Sequence, residues 1–124
     1  MKQILTLITL AVVLLVSCKK SATNNTSFIG KWKLVKTLAD PGDGSGQWQS
    51  VPAGDNKFIQ FNNDESLESN VYTEFNKYRI IDSVRIDFLK ADGHSYWFRY
   101  KINASSLEIN PPCIEACGAR FIKE

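Results

Sequence analysis

The chain has 124 residues, of which 44% are hydrophobic and 23% are charged, a composition with enough apolar residues for a folded core. Lys and Arg together number 15 against 13 Asp and Glu, which gives a formal net charge of +2. Because this charge is small and the signs alternate along the chain, no strong electrostatic partner is implied and no nucleic-acid partner is predicted. The length fits a single domain.

The N-terminus has the composition of a secretory signal. Lys2 precedes an uninterrupted run of apolar or hydroxyl-bearing residues from Ile4 to Val16. As a helix this run would rise about 20 Å, which is short of the roughly 30 Å hydrocarbon core of a bilayer. The segment is therefore typical of the core of a signal peptide and too short for a transmembrane anchor.

The four residues Leu15-Val16-Ser17-Cys18 follow the apolar run and resemble the lipobox of bacterial lipoproteins. This resemblance implies cleavage before Cys18, acylation of that cysteine, palmitate included, and a membrane as the partner that the lipid enters. The alternative is an ordinary signal peptide cut nearby, with Cys18 as a bystander. Each buried methylene contributes about 0.8 kcal/mol to membrane binding, so several acyl chains would hold the protein stably.

Three segments follow from these observations. Residues 1–17 are predicted to be the lipoprotein signal peptide, residues 18–27 an acylated flexible tether, and residues 28–124 the folded domain. Residues 19–27 contain no large apolar side chain, so they cannot offset the entropy lost on ordering. Removing 17 of the 124 residues leaves 107, which is the size of one small domain.

From Phe28 onward the apolar residues alternate with polar ones, which indicates half-buried strands. Residues 83–88 form one such run, in which Val84, Ile86 and Phe88 are predicted to face the core. Residues 96–102 form a second, and Asp92-Gly93 between the two predicts a hairpin because glycine accepts a positive φ. Further strands are predicted at 32–38, 47–51, 58–62, 67–72, 77–81, 107–110 and 120–123.

Polar or glycine-rich breaks separate these strands, and no long helical pattern interrupts them. A short helical turn is expected only around Pro111-Pro112-Cys113. Many short strands joined by turns predict an all-β fold, an antiparallel sandwich or barrel.

The motif Gly30-Lys31-Trp32 resembles the Gly-x-Trp motif that opens lipocalins, and the whole domain is similar to the small lipocalin-like domains of Bacteroidetes lipoproteins. The matching residues are 30–35, the loop 40–44 followed by Trp48, and the segment 107–118. The resemblance implies a small antiparallel up-and-down β-barrel in which Trp32 closes one end and a late arginine, Arg120, packs across its ring. The alternative is that Trp32 is a core residue and Arg120 a surface charge.

The domain is shorter than a full lipocalin and lacks the Thr-Asp-Tyr motif that lipocalins carry midway. An eight-stranded barrel of this size can be filled by its own side chains. The resemblance therefore supports the fold more than a ligand pocket, and no ligand-binding residue is assigned. Several aromatic residues could either pack in the core or line a ligand pocket, and we favour packing in the core. They are Trp32, Trp48, Tyr96, Trp97, Phe98 and Tyr100.

Cys113 and Cys117 are predicted to form a structural disulfide, since export places them in an oxidising compartment. Four extended residue steps span about 13 Å, but bonded cysteines need Cα atoms within about 7 Å, so this segment must turn. Free thiols and a metal or redox site are the alternatives. A metal would need more ligands, and the only histidine, His94, lies in a distant hairpin turn, so neither a metal nor a cofactor is predicted.

No set of residues for nucleophilic or general-base catalysis is found, and the protein is predicted not to be an enzyme. The Asp40–Gly46 loop is interpreted as a glycine-rich turn, with a calcium site as the alternative. Two functions remain: a cell-envelope protein that binds a small apolar molecule inside its barrel, or a structural or interaction module with a filled barrel. An interior of roughly 300 Å³ or more would favour the ligand.

The residues after Cys18 bear on the location of the anchor. An Asp directly after the acylated cysteine would resemble a signal that retains lipoproteins in the inner membrane. This chain has Lys19 at that position, which favours the outer membrane. The acidic residues typical of surface-export signals in Bacteroidetes are absent after Cys18. The sequence therefore favours the periplasmic side of the outer membrane over the cell surface.

Overall fold

The computed structural model describes residues 27–124, in which nine β-strands form one sheet. The strands are β1 Gly30–Ala39, β2 Trp48–Ser50, β3 Phe58–Phe61, β4 Leu67–Ser69, β5 Lys77–Ile80, β6 Arg85–Leu89, β7 Ser95–Ile102, β8 Ser106–Asn110 and β9 Cys117–Lys123. One 3-10 helix, Ala53–Asp55, lies between β2 and β3. Each predicted strand is present within a few residues of its predicted position, so the all-β prediction is confirmed.

Eight of the strands form an antiparallel barrel in which neighbours in space are neighbours in sequence. Strand β1 pairs with β3, the strands from β5 to β9 pair in succession, and β9 returns to β1. The short strand β2 stays off this path and pairs with the second half of β1. This strand order is that of an up-and-down barrel, the architecture predicted from the sequence.

The barrel is nearly closed between β4 and β5. A single bridge joins Ser66 to Lys77 there. Next to it, the backbone amide of Leu67 donates to the carbonyl of Asn76 at 2.9 Å, and the amide of Tyr78 donates to the carbonyl of Glu65 at 3.0 Å. These few hydrogen bonds satisfy part of what would otherwise be two exposed sheet edges.

The side chains of the barrel alternate between its interior and its outer face. On β9, Ala119 and Phe121 are buried, whereas Arg120 and Ile122 face outward. The pairing of β1 with β9 shifts register between Leu34 and Lys36, which is a β-bulge at Val35. Beyond the bulge, Lys36 lies directly opposite Arg120 on the outer face.

The interior of the barrel is filled by its own side chains. Sixteen buried hydrophobic residues form one core, and nine of them are aromatic, which is enough bulk to fill a barrel of eight strands. The rings pack closely, with centroids 4.8 Å apart for Phe28 and Tyr100 and 4.6 Å apart for Phe88 and Phe98. The residues buried below 2% exposure are Trp32, Phe61, Phe88, Phe121, Ile59, Ile86, Leu107 and Ile109.

Tyrosine hydroxyls satisfy backbone groups at the end of the barrel where β1 begins. Tyr78 donates to the carbonyl of Asn62 at 2.9 Å, and Tyr100 donates to the carbonyl of Asp82 at 2.7 Å. Burial raises the pKa of both phenols, so they stay protonated and keep donating at neutral pH.

The predicted hairpin between β6 and β7 is confirmed, and its turn lies at Gly93, whose φ is +89°. The predicted packing role holds for the buried Trp32, Phe98 and Tyr100 but is wrong for Tyr96 and Trp97, which are 44% and 45% exposed. Three further local predictions are wrong. Val84 is 58% exposed, because Asp82 accepts hydrogen bonds from the amides of Val84 and Arg85 and so holds Val84 in the turn before β6.

The other two errors concern loop segments. Strand β4 ends at Ser69, where its side-chain oxygen accepts hydrogen bonds from the amides of Val71 and Tyr72 and turns the chain away from the sheet. Pro111-Pro112-Cys113 forms no helical turn; the chain bends there instead. The amide of Cys113 donates to the carbonyl of Pro111 at 2.8 Å, a hydrogen bond between residues two apart that closes a γ-turn.

Candidate functional site

Cys18, the predicted lipid attachment site, lies outside the described residues. Cys113 and Cys117 are joined in a disulfide with Cα atoms 6.1 Å apart, the pairing predicted from the sequence. The disulfide segment packs on the β1–β2 loop, since the amide of Asp40 donates to the carbonyl of Ala116 at 2.9 Å. The disulfide therefore stabilises the contact between two loops at the same end of the barrel.

The carboxylate of Asp40 organises the β1–β2 loop. It accepts hydrogen bonds from the amides of Gly42 at 2.7 Å, Gly44 at 3.1 Å and Gly46 at 2.8 Å. Hydrogen bonds from Gly42 and Gly46 above all lower the pKa of Asp40, because they stabilise the ionised form. Both carboxylate oxygens are thus used within the loop, as the interpretation of this segment as a glycine-rich turn requires.

Trp32 and Arg120 do not contact each other as predicted. The Trp32 indole is fully buried and donates to the carbonyl of Phe28 at 2.8 Å, and the cation above its ring is Lys123, at 5.0 Å. The Arg120 guanidinium carbon lies 3.8 Å from the centre of the Trp48 ring instead. The predicted pairing is wrong because Lys123, and not Arg120, is the β9 residue opposite Trp32.

Trp48 and Arg120 form an ordered cluster on the outer face of the barrel. A Cβ atom at Gly118 would lie 2.9 Å from the Trp48 ring, so only glycine lets the indole lie this close to β9. Arg120 stacks on that indole and donates from Nε to Glu108 at 2.8 Å. An aromatic face and a carboxylate therefore fix the position of the guanidinium.

A groove of about 370 Å³ crosses the outer face of the barrel over β1, β9, β8 and β7, beside this cluster. The apolar residues on its outer face include Val35 at the bulge of β1 and Ile122 on β9. Ile122 is 46% exposed, which is unusual for an isoleucine in a strand. The volume falls within the range of small-molecule sites, roughly 300–1,000 Å³.

The rim of this groove is basic. Lys36, Lys101 and Arg120 line it, and Glu108 is the acidic residue among its lining side chains. Arg120 and Glu108 neutralise each other in their ion pair. Lys36 and Lys101 have no acidic partner within 4 Å among residues 27–124. The groove therefore combines an apolar floor with two unneutralised positive charges.

A second pocket, of about 480 Å³, lies between the outer face of β7 and the disulfide segment. Trp97 and Arg99 line it from β7, and Pro112 and Glu115 line it from the disulfide segment. The Trp97 side chain is 45% exposed, so it is a surface residue and not part of the core. Like the groove, this pocket lies outside the barrel.

Charges of opposite sign are segregated in the fold. Of the 12 Lys and Arg residues in the described part of the chain, ten lie in strands, whereas only three of its 13 Asp and Glu residues do. Charged strand residues face outward, so the wall of the barrel is basic and its loops are acidic. This pattern was missed by the sequence analysis, although basic residues two apart in predicted strands would have indicated it: Lys31 and Lys33, Lys77 and Arg79, and Arg99 and Lys101.

His94 lies at the tip of the β6–β7 hairpin, where its side chain is 74% exposed and its Nδ1 is 3.1 Å from the Asp92 carboxylate. This is the solvated turn position expected for it. Within residues 27–124, no three His, Cys, Asp or Glu side chains are grouped as metal ligands. No helix in the same range is long and apolar enough to cross a membrane.

No protein-family model, curated protein or solved structure matches this chain. Evidence on the function of this protein therefore comes from the motifs of its sequence and from the geometry of its barrel.

Proposed function

We propose that this chain is the precursor of a cell-envelope lipoprotein whose barrel is a non-enzymatic structural or interaction module. The observation that carries the proposal is the filled interior, in which side chains such as Trp32, Phe61 and Phe88 are completely buried. A ligand held inside a barrel needs a cavity of roughly 300 Å³ or more. Both pockets described above lie outside the barrel, so its outer surface is the surface that partners would contact.

The alternative proposal, a small apolar ligand inside the barrel, has less support. Such a ligand would have to displace aromatic side chains that pack against one another, for example Phe75 and Phe98 with ring centroids 5.8 Å apart. Opening a cavity in a packed core forfeits both burial and dispersion contacts, by several kcal/mol for each large side chain displaced.

Two features support a membrane-anchored position. The lipobox-like residues 15–18 supply the anchor, and the described domain begins nine residues after Cys18. Lys19 directly after the cysteine favours the outer membrane, on its periplasmic side. Similarity to the lipocalin-like domains of Bacteroidetes lipoproteins, carried by Gly30-Lys31-Trp32 and by an up-and-down barrel, accords with this assignment.

The proposal of a non-enzymatic role is supported by the surroundings of the single imidazole. His94 is exposed in a hairpin turn, and the side chain beside it is Asp92, which is not a nucleophile held for activation. A catalytic histidine would be oriented against a reacting group in a sheltered cleft.

Thermal unfolding in the presence of uncharged apolar compounds tests the filled barrel. Ligand binding to the native state raises the unfolding temperature by mass action, so long-chain alcohols and retinoids should leave it unchanged. The variant Phe88→Ala, which removes a fully buried ring, is the positive control and is tested with benzene, because an engineered apolar cavity can accept a compound of that size. A rise in the unfolding temperature of the unmodified protein would overturn the proposal in favour of an interior ligand.

A further inference from the structure

The groove over β1, β9, β8 and β7 lies beside the point where the chain enters the barrel. The Lys123 ammonium donates to the carbonyl of Ser27, the first described residue, at 3.3 Å. Ile122, the neighbour of Lys123, lines the groove. The connection to Cys18 therefore reaches the domain next to one end of the groove, and nine extended residue steps span at most about 30 Å.

The charges of the groove disfavour the fold when the groove is empty. Lys36 and Arg120 are directly opposite each other on adjacent strands, and like charges in that relation are destabilising. Glu108 is bonded to Arg120 at 2.8 Å and also lies directly opposite Lys101, in a cross-strand row that runs Lys101, Glu108, Arg120, Lys36. An anion beside Lys36 and Arg120, at the end of this row away from Lys101, would remove the repulsion between those two residues.

The floor of the groove is apolar where the rim is charged. Val35 and Ile122 line the groove together with the basic residues. A free inorganic anion would leave these side chains uncovered, whereas a molecule with an anionic head and a hydrocarbon tail would match both parts.

We propose that the groove binds the anionic headgroup of a phospholipid from the bilayer that holds the Cys18 anchor. The phosphate lies between Lys36 and Arg120, Lys101 adds positive charge at the far end of the same cross-strand row, and the first methylenes of an acyl chain lie on Val35 and Ile122. This inference depends on the proposed lipid anchor, which keeps the groove within reach of a headgroup layer. Headgroup binding in the groove would orient the barrel so that β1 and β9 face the membrane.

Vesicle co-sedimentation of the mature chain from residue 18, carrying Cys18→Ser, tests the groove without the anchor. Binding to phosphatidylcholine vesicles that contain phosphatidylglycerol should exceed binding to pure phosphatidylcholine vesicles. It should weaken as salt shortens the Debye length from about 30 Å at 0.01 M to about 8 Å at 0.15 M. The double variant Lys36→Gln, Lys101→Gln should bind anionic vesicles about 25-fold more weakly, from about five-fold for each lysine.

The matched control is Lys57→Gln, Lys90→Gln, which removes the same charge from the two basic residues of the described chain that lie outside strands. It should bind within about two-fold of the parent, because neither lysine lines the groove. The single variant Lys36→Gln should also melt no lower than the parent, because it relieves the repulsion with Arg120.

Equal losses for the two double variants would overturn the groove assignment, since the binding would then depend on net charge alone. Binding to soluble polyglutamate but not to anionic vesicles would also overturn it, in favour of an acidic protein partner. The assayed chain carries no lipid, so a negative result would overturn the groove assignment and not the proposed anchor. Fractionation of the Cys18→Ser protein tests the anchor separately.

Discussion

Arg120 stacks on Trp48 on the outer face of the barrel, with 3.8 Å between the guanidinium carbon and the ring centre. The two residues come from strands β9 and β2, and Glu108 on β8 holds the guanidinium from its other side. Strand β2 lies off the barrel path and pairs with β1 over only three residues, so side-chain contacts contribute to its position.

The Trp48–Arg120 contact predicts a specific pattern of unfolding free energies. Trp48→Ala and Arg120→Ala should each destabilise the protein by about 1 kcal/mol, and the double variant should lose about 0.5–1 kcal/mol less than the sum. Chemical denaturation of the four proteins measures this coupling. Arg120→Ala with Trp32→Phe is the control pair, and those losses should add, because Lys123 and not Arg120 lies over Trp32. Coupling in the control pair would contradict the contact seen in the structure.

Replacing Trp32 should destabilise the protein most. Trp32→Ala removes a fully buried indole and should cost about 3–5 kcal/mol, enough to unfold a small domain. Trp32→Phe keeps an aromatic ring but loses the hydrogen bond to the Phe28 carbonyl, so it should fold with a smaller loss. Circular dichroism and thermal unfolding distinguish these outcomes, and a stably folded Trp32→Ala protein would show that the core tolerates the cavity.

Gly93 is predicted to be sensitive to any side chain. Its φ is +89°, so Gly93→Ala should destabilise the protein by about 1 kcal/mol or more through backbone strain. Gly54→Ala is the control, because Gly54 lacks a strained φ and a Cβ there would meet no atom within 4 Å. Similar melting temperatures for the two variants would contradict the prediction that a side chain at position 93 strains the backbone.

The anchor is tested by fractionation of cells that produce Cys18→Ser. We expect the protein to leave the membrane fraction or to accumulate unprocessed, since the Cys18 thiol is the group proposed to be acylated. Cys113→Ser with Cys117→Ser is the control and should remain in the membrane fraction, since those cysteines are bonded to each other. Normal processing and membrane retention of the Cys18→Ser protein would disprove the lipoprotein proposal.

The β1–β2 loop should loosen in acid. The folded-state pKa of Asp40 is lowered, chiefly by the amide of Gly42 and then by that of Gly46, so its contribution is present above the unfolded-state pKa. That contribution should be lost as the pH falls through the folded-state pKa, because a protonated carboxyl accepts these hydrogen bonds poorly. The protection factors of the Gly42 and Gly46 amides, which compare their exchange with the intrinsic rate at each pH, should then fall, and Asp40→Asn should show this lower protection already at neutral pH. Unchanged exchange in the variant would contradict this role for the carboxylate.

The sequence by itself determined the features that depend on local periodicity and local chain geometry. Alternation of apolar and polar residues located all nine strands, Asp92-Gly93 located the hairpin, and the spacing of Cys113 and Cys117 with export located the disulfide. Each of these signals acts over a few residues, where side-chain direction and φ are set by the neighbouring chain.

Only the tertiary structure decided which outward residues meet. Arg120 was assigned to Trp32 because the lipocalin resemblance implies a late arginine across that ring, but the register of β1 and β9, with its bulge after Leu34, places Lys123 opposite Trp32 and Lys36 opposite Arg120. Register depends on pairing between segments about 85 residues apart, and the alternation within each strand is the same for every shift of two residues. The basic groove follows from that register, which brings residues scattered along the chain into one cross-strand row of Lys36, Arg120, Glu108 and Lys101.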